Sequence, residues 1–345
     1  MSSHVASPTC RHLRAITASL LSDGAKPVHV DRLLKAWIRG RPLGLPRDFR
    51  ESPLPERIVA RLERIQAELG ALARIASAHP GDDGSERLVL ALIDGELVES
   101  VLLLREGVCV STQVGCAVGC LFCETGKAGL VRQLSSGEIL AQVALARQRR
   151  PLRRVVFMGM GEPSHNLPAV LEALSVLGGN GGFGHKDLVF STVGDRELFA
   201  RLAAHDVKPA IALSLHTTNA QLRAELLPKA ARVAPDELVA LADDYARRTG
   251  HPIQYQWTLL EGVNDGEADI ARAIELLQGR RGVLNFIPYN TVDGLAYARP
   301  SLDRAREIVR RVHRSGVLAK LRRSAGQDVE GACGQLRARR IATPK

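Results

Sequence analysis

From Gly107 onward, short apolar runs alternate with longer helical stretches, and this alternation limits the fold more than any other feature of the chain. The strand-like runs are VCVST (108–112), RVVFMG (154–159), DLVFST (187–192), PAIALSLH (209–216), IQYQWTLL (253–260) and VLNFIPY (283–289). Helical stretches separate them, among them SSGEILAQVALARQ, NLPAVLEALSVL, DELVALADDYARRTG and SLDRAREIVRRVHRSG. Six βα units in succession predict an α/β fold with a parallel sheet and helices outside it. The strands are rich in apolar, β-branched residues, as burial on both faces requires. Spacing alone leaves both an open sheet and a partial barrel available. In either, ligands gather at the carboxyl ends of the strands.

The first part of the chain reads differently. Val28 to Arg39 has apolar residues at helical spacing, and PERIVARLERIQAELGALARIASA (55–78) predicts one amphipathic helix. The Pro- and Gly-punctuated RGRPLGLPRDFRESP connects them. After the turn-rich HPGDDGSE, two β-like runs flank Asp94-Gly95, the signal of a hairpin. The expected organisation is a helical extension over 1–84, a β-hairpin over 85–106, the alternating βα region over 107–325 and a C-terminal segment over 326–345. Glu99, on the hairpin's second arm among Val98, Val101 and Leu102, is expected on the solvent face of a half-buried strand.

The residues with chemical potential sit where the βα pattern places ligands. After the first strand comes VGCAVGCLFCET, in which Cys116, Cys120 and Cys123 are spaced so that one loop can turn three thiolates onto one centre. Thiolates are soft ligands, suited to iron–sulfur clusters, zinc or copper(I). A closed zinc site needs a fourth ligand, here Cys109 or a distant histidine. Three thiolates on a four-iron cluster instead leave one iron open to a small molecule. Gly159-Met160-Gly161-Glu162-Pro163 follows the second strand, and Ser191 ends the third. Ser214-Leu215-His216 ends the fourth strand and Pro288-Tyr289-Asn290 the sixth. Cys333 lies in the polar stretch EGACGQL, read as an accessible loop, and Cys10 is taken as incidental.

Charge and composition narrow the partner. Lys and Arg total 47 against 37 acidic residues, a net +10 that favours a polyanion. Arginines cluster in RQRRPLRR (147–154), RRVHR (310–314) and RARR (337–340). Aromatics are only 4%, which argues against a surface of base-stacking platforms. Six cysteines, clustered in a long chain, fit metal or catalytic use better than a disulfide framework. No membrane span or cleavable signal pattern is present, so a cytoplasmic protein is expected.

The cysteine loop resembles the signature of the radical S-adenosylmethionine (SAM) enzymes. The stretch from Glu99 to Leu336 resembles one family among them, the RlmN/Cfr-type RNA methyltransferases. The resemblance rests on CVSTQVGCAVGCLFC, FMGMGEPSHN, STVG, ALSLH, GVNDG, NFIPYN and GQDVEGACGQL. It implies a partial (β/α)6 radical-SAM barrel and a [4Fe–4S] cluster held by Cys116, Cys120 and Cys123. It implies two SAM molecules per turnover, bound by Gly161, Glu162, Ser191, Ser214, Leu215, His216 and Asn290. Cys333 would accept a methyl group, Cys109 would later pair with Cys333 in a disulfide, and Glu99 would be the proton acceptor. The implied substrate is an adenine of RNA, 23S rRNA foremost and tRNA second, methylated at C2 or C8, with an electron donor such as flavodoxin. TVDG after Asn290 and RRSAGQD before Cys333 depart from the family's commoner pattern. Two other readings remain: radical chemistry on a different acceptor, and a zinc-stabilised RNA-binding protein without catalysis.

Overall fold

The computed structural model describes residues 12–44, 53–127 and 129–337. Cys10, the middle of the Pro/Gly connector, and Arg339 and Arg340 lie outside them. The described strands are β1 (Ala73–Pro80), β2 (Glu86–Leu92), β3 (Leu97–Leu103), β4 (Gly107–Cys109), β5 (Gln113–Gly115), β6 (Leu130–Gln133), β7 (Arg154–Phe157), β8 (Leu188–Thr192), β9 (Ala210–Ser214), β10 (Ile253–Leu259), β11 (Gly282–Pro288) and β12 (Ala319–Leu321). All but β5 and β6 join one sheet in the order β1-β2-β3-β4-β7-β8-β9-β10-β11-β12. From β4 to β12 every pairing is parallel, whereas β1 to β4 pair antiparallel.

The parallel strands follow one another in chain order and in one direction across the sheet. With right-handed crossovers, that winding puts the connecting helices on one face, as in a barrel and unlike a doubly wound sheet. The outer helices are α6 (Ser136–Arg149), α7 (Leu167–Gly178), α8 (Leu198–Ala204), α10 (Pro235–Thr249), α11 (Glu267–Leu277) and α12 (Leu302–Arg314); α6 packs on α7, and α8, α10, α11 and α12 pack each on the next. The short α5 (Glu124–Lys127) and α9 (Ala220–Leu226) lie beside the cysteine loop.

At the N-terminus, α1 (His12–Ser22), α2 (Pro27–Ile38), α3 (Glu56–Val59) and α4 (Leu62–Gly70) precede the sheet. Helices α1, α2 and α4 pack on α6. Because α6 is thus covered on both sides, most of its residues are buried and its pattern is only weakly amphipathic. Its start is a capping box, Ser135 accepting from the Glu138 N–H at 3.2 Å while Glu138 accepts from the Ser135 N–H at 2.8 Å.

The single helix expected over 55–78 is corrected. It breaks into α3 and α4, and Ala73–Pro80 is a strand paired antiparallel with β2. Ala-rich ALARIASA has good helix propensity, but the exposed edge of β2 offers a ladder of backbone bonds, and propensity is the weaker effect. The extension over 1–84 is therefore not wholly helical. The hairpin is as expected: β2 pairs with β3, and Gly95 takes φ +87° between them.

Candidate active site

The loop carrying Cys116, Cys120 and Cys123 is fixed at both ends. Gly115, at φ +76°, lets the strand pass the Gly129 carbonyl, which a Cβ would meet at 1.9 Å. The next residue, Cys116, donates its N–H to that carbonyl at 2.9 Å. On the other side, Leu121 N–H reaches the Leu226 carbonyl at 3.0 Å and Lys229 N–H reaches Val118 at 3.1 Å, tying the loop to the end of α9. Val118, Phe122, Val193, Leu226, Leu227, Leu260, Tyr289 and Val292 form an apolar cluster around it, separate from the main core.

The three thiols share one electrostatic environment. Burial pushes Cys116 up to about 12, with Glu162 and Cys123 adding to the rise. Burial likewise raises Cys120, reinforced by Cys123 and Cys116, and it raises Cys123. Thiolates gathered in so apolar a place need a cationic centre to stay ionised, which is what a cluster's iron supplies. Among the described residues no three His, Cys, Asp or Glu side chains converge closely enough for a single ion. The donor set, three thiolates from one short loop, fits a [4Fe–4S] cluster with one iron left without a ligand from that loop.

The strand ends close over this loop. Gly161 takes φ +102° and a Cβ there would lie 2.6 Å from that of Gln113, so its glycine is required by the chain's own packing. Glu162 is buried, its carboxylate accepting from the N–H groups of Val193 at 3.0 Å and Ser164 at 3.1 Å. Ser191 and Ser214 are half-buried and Leu215 is buried. His216 has φ +62°, and its Nδ1 accepts from the Thr258 N–H at 3.0 Å. That bond fixes Nε2 as the ring's N–H. Burial, with help from Arg223, lowers the His216 pKa to about 3, so the ring is neutral.

Arg223 was invisible to sequence reading. Buried on α9, it donates to the carbonyls of Val193 at 2.6 Å, Ser214 at 3.1 Å and Leu215 at 3.3 Å. Its guanidinium thus caps the ends of β8 and β9, with Cys120 and Glu162 close enough to favour its charge. Nothing local in QLRAELL distinguishes it from other helix arginines.

The Cys333 segment docks on the same mouth. Asn290 donates to the Cys333 carbonyl at 3.0 Å and to Ser324 Oγ at 2.9 Å, and accepts from Gln327 at 3.0 Å. Glu124 N–H reaches the Gly334 carbonyl at 2.8 Å, and Thr125 Oγ1 donates to the Leu336 carbonyl. Cys333 is exposed at its surface, yet burial is still the main cause raising its pKa, with Arg322 and a bond from Ser324 pulling it down. A side chain that opens onto a mouth while protein surrounds it behaves in this way. Cys123 adds to the rise at Cys333, and Cys333 adds to that at buried Cys109. Cys109 and Cys123 each therefore lie within electrostatic reach of Cys333, and all five described cysteines are free.

Glu99 overturns its expected place on the solvent face. It is fully buried, because β3 is an interior strand of a sheet covered on both sides. Its carboxylate accepts from Arg87 Nη1 at 2.8 Å and from the Arg337 N–H at 3.2 Å. Arg87, itself buried, is the second residue that the sequence did not single out.

Three comparisons bear on this geometry. The radical SAM superfamily model matches residues 110–274, which contain the cysteine loop and the next strand ends. A probable RNA methyltransferase of Thiobacillus denitrificans is 62% identical over 322 residues, covering 93% of this chain and 89% of its own. Another, from Bordetella avium, is 60% identical over 93% of this chain and 92% of its own. The crystal structure of a radical SAM methyltransferase from Sphaerobacter thermophilus superimposes with a TM-score of 0.83 at 31% identity, over 96% of this chain and 99% of that one. These relatives set aside the non-catalytic zinc reading. With the cysteine loop, the parallel winding and the strand-end residues in place, the chain belongs to the radical SAM superfamily, in the family of RNA methyltransferases that these relatives represent, with a [4Fe–4S] cluster and SAM as its cofactors.

Proposed function

We propose that this enzyme is of the RlmN/Cfr type and methylates C2 or C8 of an adenine in RNA by way of S-methylated Cys333. The observation that carries the reading is that the distant Cys333 segment is seated against the cysteine loop and the strand ends, Asn290 holding the Cys333 carbonyl at 3.0 Å and Glu124 N–H the Gly334 carbonyl at 2.8 Å. A cysteine beside the cluster loop, with a second cysteine behind it, is what a methyl carrier and its resolving partner require.

The chemistry explains the equipment. Adenine C2 and C8 are electron-poor amidine carbons and do not attack a sulfonium methyl, whereas a carbon radical adds to them. Cys333 first takes the methyl group of one SAM by displacement, helped toward its thiolate by Arg322 and Ser324. With the cluster and a second SAM bound, the centre supplies a carbon radical able to take a hydrogen atom from that methyl group. Cys333 then carries the carbon onto the base, and Cys109 releases the product by bonding to Cys333. Glu99 serves as proton acceptor, and the strand that carries it also pairs with Cys109, through Val101. Gly161, Glu162, Ser191, Ser214, Leu215, His216 and Asn290 would bind SAM. The target atom lies on a base edge, so the adenine is unstacked or in a loop.

The net charge of +10 supports an RNA substrate, with 23S rRNA first and tRNA second, and an electron donor such as flavodoxin supplies reduction. Anaerobic reaction with methyl-labelled SAM and RNA from a strain lacking the gene, followed by nucleoside chromatography, tests this. Label in 2-methyladenosine or 8-methyladenosine is expected. Label confined to any other nucleoside would remove the adenine assignment.

A further inference from the structure

Apart from carrying Glu99, the antiparallel strands β1–β3 and their turns have no task in the proposed reaction, yet they hold both ends of the Cys333 segment. Where that segment begins, Asp83, in the turn between β1 and β2, accepts from the Gly326 N–H at 3.0 Å. Beside it the Asp82 N–H donates to the Asp328 carboxylate at 2.8 Å. Asp83 is itself braced by the Ser85 N–H at 2.9 Å and by the Ser85 hydroxyl.

The fit continues inward. Gly326 takes φ +65°, and a Cβ there would lie 3.1 Å from Ser85 Oγ. The loop closes on itself through Gly331 N–H to the Gly326 carbonyl at 2.8 Å. Gly331 lies against the hairpin, where a Cβ would come 3.4 Å from Arg87 Cβ and 3.6 Å from Val101. Where the segment ends, Glu99 receives the Arg337 N–H at 3.2 Å. The partners outside the segment come from β2, β3 and the turn between β1 and β2, while Asn290, Glu124 and Thr125 hold the stretch around Cys333 itself.

We propose that Asp83 is a positioning residue, the latch by which the β1–β2 turn holds the Cys333 segment over the mouth. This rests on the reading above, in which Cys333 accepts a methyl group. Asp83 touches neither the reacting sulfur nor the SAM-binding strand ends. Releasing the latch therefore lowers the fraction of molecules with Cys333 in reach, while of the residues that would bind SAM only Asn290 touches the released segment. The affected step moves a methyl group from the sulfonium of SAM to Cys333 Sγ. The thiol proton goes to solvent, S-adenosylhomocysteine leaves, and no electron is needed.

The test uses anaerobically reconstituted holoenzyme carrying Asp83→Ala, Asp83→Asn or Asp328→Asn. Glu86→Gln is the control, since it weakens a charged contact of the same hairpin with Arg149 and alters none with the Cys333 segment. Hydrogen–deuterium exchange over 324–336 and the rate of methyl gain on Cys333, read by intact mass without reductant, are the two measurements. In Asp83→Ala, exchange at Gly326 and Gly331 is expected to rise about tenfold, as for loss of one charge-assisted bond. Methyl gain at saturating SAM falls by about the same factor, while the half-saturating SAM concentration stays within about twofold. Asp83→Asn, which keeps an acceptor oxygen, lies between, and with Asp328→Asn it decides the matter if the alanine variant does not fold. Wild-type exchange and methyl gain in these variants, or the same change in Glu86→Gln, would overturn the latch. A wild-type enzyme that never gains a methyl on Cys333 would instead remove the carrier reading, with exchange still judging the latch.

Discussion

The side-chain amide of Asn290 reaches the main-chain carbonyl of Cys333 at 3.0 Å, joining the end of β11 to a loop 43 residues further on. The same amide holds Ser324 at 2.9 Å, and Ser324 helps to lower the pKa of the Cys333 thiol. Asn290→Ala removes the link and leaves polar groups on both sides without it. The expected cost is about 1–2 kcal/mol of stability and at least about tenfold in RNA methylation. Urea unfolding and a labelled-methyl assay measure the two effects, and unchanged methylation would detach Asn290 from the reaction.

Arg87 and Glu99 form a buried ion pair. Removing one partner of such a pair is costly, because the other charge stays in a poorly solvating place. Arg87→Met is expected to lower stability by about 3 kcal/mol, and adding Glu99→Gln should recover part of it. A shift in urea midpoint worth less than about 1 kcal/mol for Arg87→Met would contradict the pairing.

His216 gives the fold an acid limit. Its folded pKa of about 3 lies below the ordinary histidine value, so the unfolded chain binds the extra proton first as pH falls. The stabilisation is complete above about pH 6.5 and erodes from there down toward pH 3. At pH 5.5 the loss is about 1.4 kcal/mol relative to pH 7.5. Denaturation midpoints measured anaerobically at the two pH values should show it, and His216→Asn should reduce the difference.

Positive charge near the mouth should govern RNA affinity. Each arginine of the 147–154 cluster is occupied: Arg147 by a carbonyl, Arg149 by Glu86, Arg150 by Gly84, Arg153 by Glu106 and Arg154 by Asp187. Arg322 and Arg323, by contrast, are exposed just past the carboxyl end of β12, and Arg322 lies within electrostatic reach of Cys333. Replacing both with alanine should weaken binding of single-stranded RNA and flatten the slope of log affinity against log salt by about 1.4. Arg149→Ala and Arg153→Ala together should leave that slope unchanged.

The strands after β4 and the residues at their ends were legible because each is announced locally, by an apolar run and then a polar or glycine-rich turn. Arg223 and Arg87 were not, since a buried arginine becomes distinctive only through carbonyls and carboxylates that tertiary structure brings to it. Glu99 misled for a related reason. An acid among valines reads as half-exposed unless it is known that helices and the C-terminal segment cover both faces of its strand. The strand at Ala73–Pro80 hid behind alanine's helical preference, which the free edge of β2 overrode.

The most direct test of methyl transfer through Cys333 is isotopic. The enzyme would be given SAM deuterated throughout its methyl group, reductant and RNA, and the methyl on the product adenosine weighed. Because a hydrogen atom leaves the S-methyl group before the carbon joins the base, the product methyl should be short of one deuterium, and Cys333→Ala should yield none. A product methyl that retains every deuterium, or undiminished methylation by Cys333→Ala, would contradict the account.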